Sequence, residues 1–209
     1  MNSLIKFDRS YYSRKIKLIA GVDEAGRGPI AGPVVAAAVI FDKKKYHPKI
    51  NDSKKLSEHT RNELYDWIVE NCVSYGVGIV NHLEIDRINI LQASLKAMKI
   101  AVEKLDSIPQ LCLIDGTKTF NSSVKTITVV KGDSKSFSIA AASIIAKVTR
   151  DRIMVNYARY HPNYLWNRNK GYPTCEHIKA IQKFGITILH RKTFLGKILN
   201  EEKQEVLFK

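Results

Sequence analysis

Short apolar runs alternate along the chain with longer stretches of helical spacing. Continuous apolar runs at 18–22 and 34–41 predict buried strands, because a strand that is covered on both faces lacks polar alternation. Weaker runs predict three more strands, at 73–80, 111–114 and 126–130. The pattern therefore predicts a core that is built around a β-sheet.

Three helices are predicted between and after these strands. Ser57 suits the N-cap of the first, and the third covers 137–157, where small residues at 140–143 allow close approach to the sheet. The first two carry apolar positions at helical spacing, namely Leu64, Trp67, Ile68 and Cys72 in one and Leu91, Leu95, Met98, Val102 and Leu105 in the other. Because the sequence shows no repeat and no linker, we predict a single domain over 1–209. Its predicted class is α/β, with a mixed sheet flanked by helices and a small C-terminal helical extension.

The net charge of the chain suggests a class of binding partner. The chain has 34 basic and 20 acidic residues and a net charge of +14, which favours a polyanion such as nucleic acid. A lysine-rich solvated surface explains the same excess, so charge alone does not decide between the two.

The cysteines and the apolar runs indicate the compartment. Cys72, Cys112 and Cys175 are odd in number and form no C-x-x-C pair, which argues against a disulfide framework or a cysteine zinc site. No apolar run approaches the roughly 18 to 20 residues that span a bilayer. We therefore expect a cytoplasmic protein with no membrane association.

Acidic residues follow three of the predicted strands. Asp23 and Glu24 come directly after 18–22, Asp115 follows 111–114, and Asp133 lies shortly after 126–130. If these strands are neighbours, four carboxylates converge at one edge of the sheet. Carboxylates without nearby histidine or cysteine suit Mg²⁺ or Mn²⁺ rather than zinc, and such a set can support two-metal phosphoryl transfer.

Two of these acids are also compatible with a purely local structural role. Asp133 followed by Ser134 also suits a helix N-cap or a turn residue, and Asp115-Gly116 is a common turn dipeptide. Asp23 and Glu24 are harder to account for in this way, because a turn does not need two adjacent acids before a glycine-rich segment.

Glycines and basic residues supply the candidate binding groups. Gly26-Arg27-Gly28 offers backbone N–H groups that a phosphate or a sugar can approach, although no P-loop lysine motif is present. Lys54 and Lys55 suit either phosphate contacts or a solvated face. Three further basic residues are expected near the last turns of the third helix, where the helix dipole explains them: Lys147, Arg150 and Arg152. The pair His190-Arg191 lacks metal-ligand spacing, and we assign it no catalytic role.

Seven ordered motifs resemble the ribonuclease HII family over about 18–194. They are DEAGRGP at 23–29, DSKKL at 52–56, DG at 115–116, KGD at 131–133, AASIIAKVTRDR at 141–152, GYPT at 171–174 and HR at 190–191. The resemblance implies a ribonuclease H-like fold. It also implies an endonuclease that hydrolyses the RNA strand of RNA–DNA hybrids and cuts 5′ to single ribonucleotides in duplex DNA.

The family pattern assigns roles to individual residues. By resemblance, Asp23, Glu24, Asp115 and Asp133 are the catalytic carboxylates that hold Mn²⁺ or Mg²⁺. The resemblance further implies that two groups read the ribose 2′-hydroxyl, the only group that distinguishes RNA from DNA at one position: Gly26, Arg27 and Gly28, and Tyr172. Without the family, Tyr172 fits equally well as a loop tyrosine packed by Pro173.

Two other functions compete with this one, a non-catalytic nucleic-acid-binding protein and a two-metal nuclease that acts on DNA alone. Partners are expected to be RNA–DNA hybrid and ribonucleotide-containing duplex, and the protein is expected to be a monomer. The tail 195–209 ends in Val206-Leu207-Phe208, and whether it contacts a replication clamp is left open.

Overall fold

The computed structural model describes residues 3–196. Its strands are β1 (Ile19–Ala25), β2 (Val34–Ile40), β3 (Ser74–Val80), β4 (Leu111–Asp115) and β5 (Lys125–Val129). The helices of this part of the chain are α1 (Ser3–Arg9), α2 (Glu58–Asn71), α3 (His82–Glu103), α4 (Phe137–Tyr160), α5 (Trp166–Asn169) and α6 (Cys175–Phe184). None of them is long and apolar enough to span a bilayer.

The strands form one mixed sheet in the order β3-β2-β1-β4-β5. β2 runs antiparallel to both β1 and β3, whereas β1, β4 and β5 run parallel to one another. Parallel strands end at the same edge of a sheet, so the residues that close β1, β4 and β5 lie together. The predicted α/β class and the mixed sheet are confirmed.

All five predicted strands are present, and the two acids lie at the end of the first one, as predicted. β1 continues beyond Val22 as far as Ala25. Its last residues pair with β2, Asp23 opposite Ala37 and Glu24 opposite Ala36. Because β2 is long enough to satisfy these backbone groups, the two acids belong to the strand and are not in a turn after it.

Two helices cover opposite faces of the sheet. α4 packs on the face that includes Ala37 and Val39, and α3 packs on the face that includes Ala36 and Ala38. Successive strand residues point to opposite faces, which explains why β2 is buried along its whole length.

Serine side chains cap the N-termini of two helices, and the first of these caps was predicted. Ser57 caps α2, since its side chain accepts a hydrogen bond from the Thr60 N–H at 3.1 Å. Ser136 caps α4 by accepting from the Ile139 N–H at 3.2 Å. The alternative in which Asp133 caps the long helix is therefore wrong.

The tail beyond 196 lies outside the described residues, so whether residues 206–208 contact a replication clamp stays open. The described residues contain three free cysteines, as the sequence predicted: Cys72, Cys112 and Cys175.

Candidate active site

Four carboxylates lie at the edge of the sheet where the parallel strands end. β1 carries Asp23 and Glu24, and β4 ends on Asp115. Asp133 follows β5 in a short 3-10 turn, Gly132–Ser134. The Gly132 N–H donates to Asp115 Oδ1 at 2.6 Å, which ties the turn that carries Asp133 to the end of β4. The parallel strand order therefore does bring these acids together, as the sequence predicted.

The carboxylates repel one another. Burial raises the pKa of Asp23 well above its usual range, and the charges of Glu24, Asp115 and Asp133 raise it further. Burial also raises the pKa of Glu24, against the opposing effect of Arg27, and it raises the pKa of Asp115 together with the charge of Asp133. The cluster thus concentrates negative charge that a cation would stabilise.

The donors are hard oxygen atoms, which suit Mg²⁺ or Mn²⁺. Within residues 3–196, no three carboxylate, histidine or cysteine side chains converge tightly enough to enclose an ion. A closed protein cage is not needed for such an ion, because Mg²⁺ usually keeps several waters and is held by one or two carboxylates together with substrate phosphates.

Lys54 approaches this cluster, whereas Lys55 does not. Lys54 Nζ lies 3.6 Å from Asp133 Oδ2. Burial lowers the pKa of Lys54, but nearby carboxylates, first Asp133 and then Asp23, outweigh burial and raise it. Lys55 is exposed and makes no ion pair with the four acids. Of the two predicted phosphate contacts, only Lys54 is placed beside them.

The predicted ribose-reading residues also lie together. A Cβ built on Gly28 would lie 3.6 Å from Tyr172 Cε1, so the tyrosine ring lies next to the exposed glycine. Tyr172 is 40% exposed, and the Lys147 Nζ is 5.9 Å from its ring centroid. Arg27 Nη1 contacts Glu24 Oε1 at 3.2 Å, which joins this surface to the carboxylates.

Gly26 is required by its conformation and by its neighbour. Its φ is +101°, and a Cβ there would overlap the side chain of Arg150. Both constraints exclude a larger residue, because only glycine adopts this conformation without strain.

Two buried arginines beside the candidate site were not recognised from the sequence. Arg150 was expected near the last turns of its helix, but α4 continues to Tyr160 and Arg150 is buried in its middle. Its guanidinium donates to three backbone carbonyls, those of Ala31, Pro33 and Lys170. Arg191 is also fully buried. Their positions in the HR and AASIIAKVTRDR motifs were the only signal, since hydrophobic periodicity does not identify a buried arginine.

A buried chain of hydrogen bonds supports the loop that carries Tyr172. Trp166 Nε1–H donates to His177 Nε2 at 3.0 Å, so His177 must bear its proton on Nδ1. That proton is donated to the Tyr172 carbonyl oxygen at 2.8 Å. His190 Nδ1 accepts from the Thr187 N–H, which leaves His190 Nε2–H to donate to His177 at 3.2 Å. Both histidines are therefore neutral in this arrangement.

Acidification should weaken this network. Burial, and then the neighbouring His177, lower the pKa of His190 to about 4. The folded protein binds fewer protons than the unfolded chain between pH 6.5 and 4, so the stabilisation is complete above about 6.5 and is lost as pH falls toward 4. We expect the advantage of wild type over His190→Gln in free energy of unfolding to shrink by up to roughly 3 kcal/mol across this window.

Urea unfolding at pH 7, 6, 5 and 4.5 measures that difference, and subtraction removes the contribution of the carboxylates. Met98→Ala, which removes a buried side chain with no titratable group, serves as the control, and its difference from wild type should not depend on pH in this way. A constant difference between wild type and His190→Gln at every pH would show that the network does not titrate.

Comparison with known proteins identifies relatives along nearly the whole chain. Residues 20–197 match the family model described as Ribonuclease HII. A ribonuclease HII from Caldanaerobacter subterraneus is 51% identical over 193 residues, covering 92% of this chain and 80% of that protein. The ribonuclease H2 structure from Pyrococcus horikoshii has a TM-score of 0.72 at 27% identity, covering 90% of this chain and 99% of that one.

A further structure, a complex of PCNA with ribonuclease HII from Archaeoglobus fulgidus, is similar in fold. The TM-score is 0.69 at 24% identity, with 84% of this chain and 94% of that chain covered. At this identity the likeness concerns the fold alone.

Proposed function

Because the chain belongs to the ribonuclease HII family, and is therefore a ribonuclease H, we propose that it hydrolyses the RNA strand of RNA–DNA hybrids. It also cuts 5′ to single ribonucleotides embedded in duplex DNA and leaves 3′-hydroxyl and 5′-phosphate ends. The observation that carries this proposal is the carboxylate cluster at the ends of β1, β4 and β5, beside an exposed surface formed by Gly28 and Tyr172.

Four residues are proposed to hold two divalent cations, Mn²⁺ or Mg²⁺: Asp23, Glu24, Asp115 and Asp133. When bound, the ions lower the pKa of water and stabilise negative charge on the attacking and leaving oxygens. The mutual repulsion of the buried carboxylates supports this assignment, because cation binding relieves it. Lys54, 3.6 Å from Asp133, is free to turn toward a phosphate once cations neutralise the acids.

Recognition of the ribose is assigned to Gly26, Arg27, Gly28 and Tyr172. Gly28 leaves room for a sugar to approach the backbone, and the adjoining Tyr172 ring provides a flat surface and a hydroxyl that can hydrogen-bond. Arg27, held by Glu24 at 3.2 Å, lies where it can orient a phosphate next to that sugar. Recognition and cleavage are thus adjacent along the end of β1.

The basic surface supplies affinity without sequence preference. With a net charge of +14, the protein should bind duplexes through phosphate contacts, and affinity should fall steeply as salt rises. Lys55, exposed in the same segment as Lys54, is proposed to contribute one such contact. A purely non-catalytic binder is less well supported, because a nucleic acid does not favour four neighbouring carboxylates at its binding surface.

A matched pair of duplexes tests the function. One contains a single ribonucleotide and the other is entirely DNA, and each is incubated with Mg²⁺, with Mn²⁺ and with chelator. We expect cleavage of the first duplex only, 5′ to the ribonucleotide, and only with metal. Cleavage of both duplexes would favour a nuclease that acts on DNA alone, and cleavage in chelator would exclude metal-dependent chemistry.

The domain organisation, the oligomeric state and the compartment of the protein are also part of the proposal. We propose a single catalytic domain over 1–209, acting as a monomer in the cytoplasm. Whether the tail contacts a replication clamp stays open, since its residues lie outside the described part of the chain.

A further inference from the structure

Arg191 lies directly beneath the Gly26-Arg27-Gly28 segment. The chain around it pairs with the segment that follows these glycines, since the Arg191 N–H donates to the Ile30 carbonyl at 2.8 Å. Gly32 N–H donates to the Leu189 carbonyl at 2.9 Å on the other side of the same bridge. This pairing directs the Arg191 side chain inward, where it is fully buried.

The guanidinium of Arg191 holds the carbonyls of the glycine segment. Nη2 donates to the Gly26 carbonyl at 2.7 Å, and Nη1 donates to the Arg27 carbonyl at 3.2 Å. Nε also donates to the Gly32 carbonyl, and Nη2 donates to the Pro33 carbonyl as well. In residues 3–196, no carboxylate lies within ion-pair distance of this group, so its hydrogen bonds go to backbone oxygens, while the Phe194 ring, 5.1 Å away, and the more distant charge of Asp86 also stabilise it.

Arg191 remains charged under ordinary conditions. Burial lowers its pKa to about 9, and the neighbouring charge of Arg150 contributes to the shift. At neutral pH the guanidinium is still protonated, so all its N–H groups are available as donors.

Peptide geometry determines where the opposite groups point. All peptide bonds of the described residues are trans, and in a trans peptide the C=O and the following N–H point in opposite directions. Because the Gly26 and Arg27 carbonyls point inward at Arg191, the N–H groups of Arg27 and Gly28 point outward. Both residues are exposed, and neither N–H donates to an acceptor among the described residues.

We propose that Arg191 is a positioning residue for ribose recognition: by holding the Gly26 and Arg27 carbonyls, it presents the Arg27 and Gly28 N–H groups to the substrate's 2′-hydroxyl. The proposal rests on the proposed function, because it assumes that this segment reads ribose. Tyr172, whose ring adjoins Gly28, closes the other side of the same small surface. Arg191 does not touch substrate and acts only through the backbone it holds.

The test compares binding of ribonucleotide-containing and all-DNA duplexes in chelator, so that cleavage does not interfere. Arg191→Lys keeps the charge but lacks the planar fork whose two terminal nitrogens hold the Gly26 and Arg27 carbonyls. We expect the ratio of the two affinities to fall by about tenfold, as for the loss of one well-made hydrogen bond. The affinity for the all-DNA duplex should change little.

A matched control separates positioning from loss of stability. Met98→Ala removes a buried side chain of α3 that packs against the far face of the sheet, and it should lower the free energy of unfolding without touching the glycine segment. Unchanged discrimination in Met98→Ala, with lost discrimination in Arg191→Lys, supports the proposal. Retained discrimination in Arg191→Lys, or equal weakening for both duplexes, overturns it. A wild type without preference for the ribonucleotide would instead show that the proposed function has failed.

If Arg191→Lys does not fold, wild-type protein decides the matter. The backbone amide resonances of Arg27 and Gly28 should shift when the ribonucleotide-containing duplex is added, and they should shift much less with the all-DNA duplex. Equal shifts with both duplexes, or none, overturn the proposal.

Discussion

Asp23→Asn should cleave a ribonucleotide-containing duplex on the order of 1,000-fold more slowly than wild type while still binding it. The asparagine can keep the hydrogen bond that Asp23 Oδ1 accepts from the Glu24 N–H at 2.7 Å, so the local backbone should persist. What is lost is a negative charge at the centre of the cluster. Because that charge is buried beside three other acids, its removal should also raise the thermal stability of the metal-free protein.

Asp8→Asn is the matched control for this prediction. Asp8 is another buried carboxylate with a pKa raised by burial, but it contacts the start of α4 through Ser138 and lies outside the cluster. Single-turnover cleavage, measured with metal, should be lost only in Asp23→Asn. Thermal melting in chelator should show that both variants are more stable than wild type. Wild-type cleavage by Asp23→Asn would remove Asp23 from the proposed chemistry.

Gly21→Ala should destabilise the protein by on the order of 3 kcal/mol, which lowers the melting temperature by roughly 10 °C for a chain of this size. A Cβ on Gly21 would overlap the backbone of Ser138 and Ile139 at the start of α4. Backbone atoms cannot move aside as a flexible side chain can, so the helix must shift away from β1. Since β1 carries Asp23 two residues later, cleavage should fall as well.

Gly196→Ala provides the comparison, because a Cβ there meets no atom of residues 3–196 within 4 Å. Differential scanning calorimetry of the two variants should show a large loss for Gly21→Ala and almost none for Gly196→Ala. Equal melting temperatures would mean that the contact between β1 and α4 is looser than these positions indicate.

The sheet could be predicted because burial on both faces leaves an unmistakable apolar run, as at Val34–Ile40. The position of the acids at strand ends could be predicted because each of them follows such an apolar run. The order of the parallel strands β1, β4 and β5 then brings these ends together. The pairing of Asp23 and Glu24 with β2, which continues β1 as far as Ala25, could not be predicted, because it depends on the length of that partner strand. Polar residues at a strand end and polar residues in a turn look alike in sequence.

The buried arginines were misjudged for a different reason. A charged residue is expected at the surface, and the sequence around Arg150 and Arg191 does not reveal which backbone carbonyls will surround them. Those carbonyls belong to Gly26–Pro33 and Lys170, more than a hundred residues from Arg191 in the first case. Only the three-dimensional arrangement identifies such partners.

Titration of Mn²⁺ into the protein, followed by calorimetry, most directly tests whether the carboxylate cluster is the metal centre. Wild type and Asp8→Asn should bind the ion alike, and Asp115→Asn should bind it at least about tenfold more weakly, since one charged oxygen ligand is lost. Equal binding by Asp115→Asn and wild type, or no binding by wild type, would contradict the assignment of the cluster at the ends of β1, β4 and β5.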